Sequence, residues 1–276
     1  MNKQRNALLL IDYQFDFCDP NGSLYVPNAE TDVERAANMI TDNQDVIDYI
    51  AATQDSHHTI DSAHPTWWLD KDGNQPDPFT NISATDVENG TWIPQIAPLD
   101  TLQYLKTLER NAEYPHTIWP IHCLIGSKGA SIMPDLMDAI GKWECAKRNV
   151  YQLVQKGEHP ITEHFGALRA NVEFDGTNGM PSVPSTQKNQ KFIKVLNQYK
   201  RVYLLGEAKN FCVANTLKQM LEFAPELVKK LYIVEDCISD VVGVPDVVNQ
   251  RSQEIYEEAR QAGANFVTSD NPQFLQ

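Results

Sequence analysis

Short apolar runs alternate with helical patterns along this chain, and that alternation constrains the fold more than any other feature. The runs are Ala7–Ile11, Tyr49–Thr53, Val150–Val154, Val202–Leu205, Leu231–Val234 and Asn265–Thr268, and each predicts a strand. Helical patterns fall at about Asp32–Ile40, Ser131–Ile140, Ser185–Tyr199, Phe211–Phe223 and Pro245–Ala262. In the third of these, Phe192, Val195, Leu196 and Tyr199 recur at the spacing of one buried helix face. Ser185 is placed to cap that helix, and Gly263 to end the last one. Strands separated by helices pair in parallel, because a parallel crossover needs a dozen or more residues to return. The expectation is a single Rossmann-like three-layer α/β/α domain with a mostly parallel sheet, spanning residues 1–276. In such a sheet, functional groups collect beyond the carboxyl ends of the strands.

One segment breaks the alternation. From about residue 58 to residue 116 the chain is rich in Asp, Asn, Pro, Thr and Trp, with a helical pattern only near Leu99–Leu108. A loop-rich insertion of this length in a compact domain is usually functional or disordered. Trp67, Trp68 and Trp92 argue against disorder, since rings that size seek burial. A lid or an oligomer contact is the expectation for it.

Charge and cysteine usage narrow the function. The net charge is −14 with no compensating basic block, a sign that opposes polyphosphate and anionic lipid. Neither a nucleic-acid nor a membrane partner is expected, and no apolar stretch approaches the roughly 18 residues of a span. Cys18, Cys123, Cys145, Cys212 and Cys237 form an odd, dispersed set without a framework spacing. Reduced thiols in a cytoplasmic protein are the expectation, which leaves room for one of them to be a nucleophile.

Several residues could carry chemistry, and each has a bland reading beside the functional one. Asp12 ends the first strand, where a carboxylate can act as a base or simply cap a turn. In Asp55-Ser56-His57, alternation in an extended segment points Asp55 and His57 to one side. A carboxylate with imidazoles suits Zn²⁺, Fe²⁺ or Mn²⁺, and His122 could be the third ligand that a catalytic site needs. A solvated turn is the alternative. Lys156 follows the Val150–Val154 run, and a lysine there functions only if a thiol or carboxylate is near. Cys212 opens a helix after Gly206-Glu207-Ala208-Lys209-Asn210-Phe211. Helix-start charge and a lysine would lower its pKa, and the same amides could hold an oxyanion. Inert packing remains the other reading of a buried cysteine.

Taken together, these stretches resemble the isochorismatase-like cysteine hydrolases, and within them the nicotinamidases. The motifs fall in the family's order: Leu10 through Cys18, Thr53-Gln54-Asp55-Ser56-His57, Trp119-Pro120-Ile121-His122-Cys123, Lys156-Gly157, and Gly206 through Val213. The resemblance implies that Cys212 is the nucleophile, Asp12 its base and Lys156 the supporting cation. It further implies a divalent metal, most simply zinc, on Asp55, His57 and His122, and an oxyanion hole from the Ala208 and Cys212 amides. Phe17 and Trp119 would sandwich an aromatic substrate ring, and the Glu207–Ala208 peptide would be cis. Two departures stand out. His64, the candidate for a further histidine ligand, sits one position off, and Glu207 occupies a position more often apolar. The implied activity is hydrolysis of a small amide, nicotinamide to nicotinate and ammonia, through a cysteine thioester, in a chain that could form homo-oligomers. The alternatives are another small-amide or carbamoyl hydrolase, an isochorismatase-type hydrolase that lacks cysteine and metal, or a binding protein with a silent site.

Overall fold

The computed structural model describes residues 5–111, 114–177 and 179–275. In chain order the strands are β1 (Asn6–Ile11), β2 (Ile47–Asp55), β3 (Trp68–Leu69), β4 (Ile93–Pro94), β5 (Gln152–Lys156), β6 (Arg201–Gly206), β7 (Leu231–Val234) and β8 (Asn265–Val267). Six form one sheet in the order β5-β2-β1-β6-β7-β8, while β3 and β4 make a separate antiparallel pair. Every pairing in the large sheet is parallel. All six runs read as strands from the sequence therefore lie in it. β1 is buried along its whole length, so its near-continuous apolar sequence suits a central strand covered on both faces.

The helices are α1 (Phe15–Cys18), α2 (Ala29–Asp42), α3 (Ala84–Glu88), α4 (Pro98–Arg110), α5 (Pro134–Lys147), α6 (Gln190–Leu196), α7 (Ala214–Phe223), α8 (Pro225–Val228) and α9 (Asp246–Gln261). From β1 the chain winds outward through β2 to β5, then returns and winds the other way through β6, β7 and β8. Crossovers of one hand that run in opposite directions place their helices on opposite faces. Accordingly α2 packs with α5, and α7 with α9, giving the three layers expected. The reversal lies between β1 and β6, the switch point at which such sheets form a crevice.

Three local expectations need correction. β5 begins two residues late and runs on to Lys156, because Val150 is 73% exposed while Lys156 pairs with Asp55 across β2 and β5. Ser185 caps no α-helix. It sits in a 3₁₀ turn (Pro184–Thr186), and Asn189 caps α6 by accepting from the Phe192 N–H at 3.0 Å. Cys212 does not open an α-helix either. It lies inside a π-helical turn, Lys209–Val213, in which the Val213 N–H reaches back five residues to the Ala208 carbonyl at 3.1 Å.

The insertion has a core of its own. Trp67, Trp68, Tyr104, Leu105 and Leu108 bury against Ile161, Val172 and Phe174. Four elements lie within it in addition to the helix at α4: β3, α3, β4 and a 3₁₀ turn at Pro65–Trp67.

Candidate active site

The carboxyl ends of the four strands β5, β2, β1 and β6 bring Lys156, Asp55, Asp12 and Gly206 to one crevice. Asp12 leaves β1 in the left-handed region, φ 45°, a conformation that Asp tolerates better than most residues. Thr53 holds it there from β2. The Thr53 hydroxyl donates to Asp12 Oδ1 at 2.6 Å and accepts from the Asp12 N–H at 3.0 Å. Gly206 must be glycine, because a Cβ at its φ of 134° would stand 2.0 Å from the Ile11 carbonyl oxygen. Gln14 fixes the end of β2: its amide donates to the Asp55 carbonyl at 2.8 Å and accepts from the Asp55 N–H at 2.7 Å.

Lys156 is buried between two carboxylates and a thiol. Its Nζ lies 2.8 Å from Asp12 Oδ2, 3.2 Å from Asp55 Oδ1 and 3.8 Å from Cys212 Sγ. Burial opposes the ammonium charge, but Asp12 and Asp55 outweigh it and hold the pKa well above the ordinary value. For Asp12, burial raises the pKa more than Lys156 lowers it, which leaves a carboxylate of enhanced basicity. The thiol departs from the sequence expectation. Lys156 does pull the Cys212 pKa down, but burial comes first and Asp12 and Asp55 add to it, so the group is a neutral thiol at rest.

Asp55, His57 and His122 offer ligand atoms within 4.8 Å of one another, a set that could hold a divalent metal. The donor chemistry fits. His57 Nδ1 lies 3.0 Å from Asp61 Oδ2, and His122 Nδ1 lies 2.9 Å from the Pro120 carbonyl oxygen. Each acceptor takes an Nδ1–H, so both Nε2 atoms face the Asp55 side, 3.1 and 3.9 Å from Asp55 Oδ2, and His57 Nε2 can serve as a ligand once it has lost its proton. Burial lowers the His57 pKa, but Asp55 and Asp61 outweigh it and raise the value well above the ordinary one. Burial, with His57 and His64 nearby, drives His122 the other way. Both imidazoles are 3% exposed, which argues against the solvated-turn reading of this motif. His64 stands beside the cluster and outside the ligand set. Its Nδ1 is 3.0 Å from the His58 carbonyl oxygen and its Nε2 faces His122 Nδ1 at 3.3 Å.

An apolar pocket opens onto these groups, lined by Phe17, Trp119, Phe165, Phe211, Ala208 and Cys212, with Asp55 and His122 also in its wall. Trp119 meets Phe211 edge to face at 5.0 Å, and Phe17 meets the His122 ring at 5.5 Å. The Glu207–Ala208 peptide is cis. Every candidate site residue from the sequence therefore reaches one crevice: Asp12, Lys156, Cys212, Ala208, Phe17, Trp119, Asp55, His57 and His122.

Sequence reasoning missed four neighbours. Thr53 and Gln14 sit inside quoted motifs, and their side-chain bonds could be found only by knowing which strands adjoin. Asp61 follows His57 by four residues, a spacing that could have flagged it. Glu163 lines the pocket and accepts from Trp119 Nε1 at 3.1 Å. Burial pushes its carboxyl up to about 8. No periodicity marks the segment that carries it.

No family model matches the chain. Among curated proteins it is similar to the nicotinamidase of Escherichia coli K12, 24% identical over 262 residues that cover 95% of this chain and 94% of that one. Among solved structures, one titled a nicotinamidase and pyrazinamidase of Acinetobacter baumanii has a TM-score of 0.60 at 20% identity, covering 98% and 99% of the two chains. A pyrazinamidase of Pyrococcus horikoshii, solved in complex with zinc, has a TM-score of 0.53 at 18% identity, covering 96% and 99%. The similarity to these proteins thus spans nearly the whole chain.

Proposed function

We propose that this protein is a cysteine-dependent amidohydrolase that converts nicotinamide to nicotinate and ammonia. The observation that carries the reading is Lys156, buried within 2.8 Å of Asp12 and 3.8 Å of Cys212 beside an Asp-His-His cluster. A lysine buried between two carboxylates is costly for stability alone, and this one lies with the candidate thiol and base beside one aromatic pocket. The full-length similarity to nicotinamidases supports the substrate.

In this reading Asp12 accepts the thiol proton as Cys212 Sγ attacks the carboxamide carbon. Lys156 offsets the charge that would otherwise accumulate on the two groups. The Ala208 and Cys212 amides receive the oxyanion, and loss of one such donor costs roughly 3–4 kcal/mol. Protonated Asp12 then passes its proton to the departing ammonia, and a thioester remains on Cys212. Asp12 next takes a proton from the water that attacks the thioester carbon, and as the C–S bond breaks it returns that proton to Cys212 Sγ and nicotinate leaves. Phe17 and Trp119 hold the ring so that the carbonyl faces the thiol. When bound at Asp55, His57 and His122, a divalent metal, which we take as zinc with iron(II) or manganese(II) as alternatives, supplies a Lewis-acidic anchor for the pyridine nitrogen. The neutral amide is the partner that a strongly acidic chain accommodates most readily, and we place the protein in the cytoplasm. Among the described residues no helix is long and apolar enough to cross a membrane.

The test is ammonia release from nicotinamide by purified protein, beside Cys212→Ala and a chelator-treated sample. Turnover lost in both controls is expected. Silence on nicotinamide with rapid iodoacetamide labelling of Cys212 would keep a hydrolase and discard the pyridine ring. Silence with an inert Cys212 would overturn the enzyme reading.

A further inference from the structure

Glu207 is fully buried yet serves no step of the mechanism above. Its Oε2 accepts from the Ser239 N–H at 3.1 Å, and its Oε1 is buried with no donor from the described residues. Asp32, in the first turn of α2, lies within hydrogen-bonding reach of it. Asp32 already has cationic and neutral donors of its own. The Ser239 hydroxyl donates to its Oδ2 at 2.5 Å, Arg35 Nη1 lies 3.4 Å from its Oδ1, and the helix start favours its charge. Two carboxylates in contact cannot both be ionised away from water, so one proton belongs to the pair. The better-served oxygens of Asp32 hold the charge, so the shared proton sits on the Glu207 carboxyl. Ser239 closes the arrangement from the other side, since its carbonyl accepts the Lys209 N–H at 2.8 Å. The residues before and after Ala208 are thereby tied to the same serine.

We propose that Glu207 is a positioning residue: as a neutral acid bonded to Asp32 and Ser239, it fixes the Ala208 amide where the oxyanion forms. This rests on the function proposed above. The surroundings favour a single proton-bearing state. Burial first, and then Asp32, raise the Glu207 pKa well above the ordinary value. Asp32 and Arg35 of α2, Tyr13 after β1, Cys18 of α1, Asp236, Cys237 and Asp240 after β7, and Tyr256 of α9 surround the pair. Of these only Arg35 would favour a second negative charge. Ionisation of Glu207 as pH rises sets two like charges against each other and loosens the wall that carries Ala208.

The experiment compares wild type, Glu207→Gln and Glu207→Leu across pH, reading kcat and KM for nicotinamide together with Tm. Gln can donate to Asp32 and accept from Ser239, so Glu207→Gln is expected to keep kcat within about twofold of wild type at its best pH while losing the part of any decline with rising pH that Glu207 causes. Glu207→Leu is expected to lower kcat by about tenfold or more with little change in KM. Tm supplies an arm that needs no substrate. A carboxyl raised in the fold stabilises most below its unfolded pKa of about 4.3 and loses that contribution as pH rises toward its folded value. Wild type should therefore lose Tm relative to Glu207→Gln as pH climbs from about 4.5. A kcat of Glu207→Leu equal to wild type, or parallel Tm profiles for wild type and Glu207→Gln, overturns the proposal. If wild type releases no ammonia, the function reading fails, and the Tm profiles alone decide the clamp.

Discussion

At the scale of single residues, the site is built from groups whose charges are meaningful only together. Removing Lys156 leaves Asp12 and Asp55 buried and facing each other, so Lys156→Ala should cost about 3–5 kcal/mol of stability as well as nearly all turnover, read by urea unfolding and ammonia release. Asp12→Asn separates the two effects. It keeps the volume and leaves Lys156 paired with Asp55 at 3.2 Å, so turnover should vanish while unfolding shifts far less. Asp61 is the corresponding test at the metal cluster. Its carboxylate orients His57 from 3.0 Å, and Asp61→Ala should weaken zinc binding by about 10–100-fold in a chelator competition. The metal must also displace the proton that Asp55 and Asp61 retain on His57. Zinc affinity should therefore rise with pH, by about tenfold per unit below the His57 pKa for each proton displaced. A pH-independent affinity would remove His57 from the ligand set.

At the scale of elements, the junction of β1 and β6 is the least forgiving place in the fold. Gly206→Ala drives a methyl into the Ile11 carbonyl oxygen at a φ that L-residues avoid. Unfolding should shift by more than about 3 kcal/mol, or soluble protein should be lost. The insertion gives a milder case: Leu105→Ala on α4 should cost about 2–5 kcal/mol by the same measurement, because Leu105 is 1% exposed in the second core. The two elements also differ in how far the sequence disclosed them. The sheet was legible because its central strands, β1, β6 and β7, are built on contiguous apolar runs, and contiguous patterns survive in one dimension. So was the gathering of the candidate residues, since Asp12, Asp55 and Lys156 each sit at or just past a strand end inside a short motif, and Cys212 lies in the turn that follows β6. The second core was not, because Trp67 and Trp68 bury against Tyr104 and Phe174, partners far apart in the chain with no shared period. The cap of α6 and the π turn at Cys212 were missed for a related reason. Both depend on which loop backbone atoms meet, and propensity does not encode that.

At the scale of the whole molecule, the net charge of −14 meets a proposed reaction that begins with a neutral amide and ends with an anion. A field of that sign does nothing for nicotinamide on its way in, but it opposes the approach and residence of nicotinate. Salt screens the distant surface charges far more than it screens Lys156 or the Asp-His-His cluster, which are buried. Raising salt from about 20 mM to about 300 mM should thus leave kcat/KM for nicotinamide within about twofold. Over the same range the inhibition constant of nicotinate should fall, by roughly threefold, as the repulsive field is screened. The measurement is a set of initial rates at several nicotinate concentrations and two salt concentrations, with the ionic strength set by sodium chloride. An inhibition constant that salt leaves unchanged would instead mean that the buried charges beside the pocket, Lys156 and the Asp-His-His cluster, dominate the field of the whole chain. Release of nicotinate would then depend on those buried charges and not on the acidic surface.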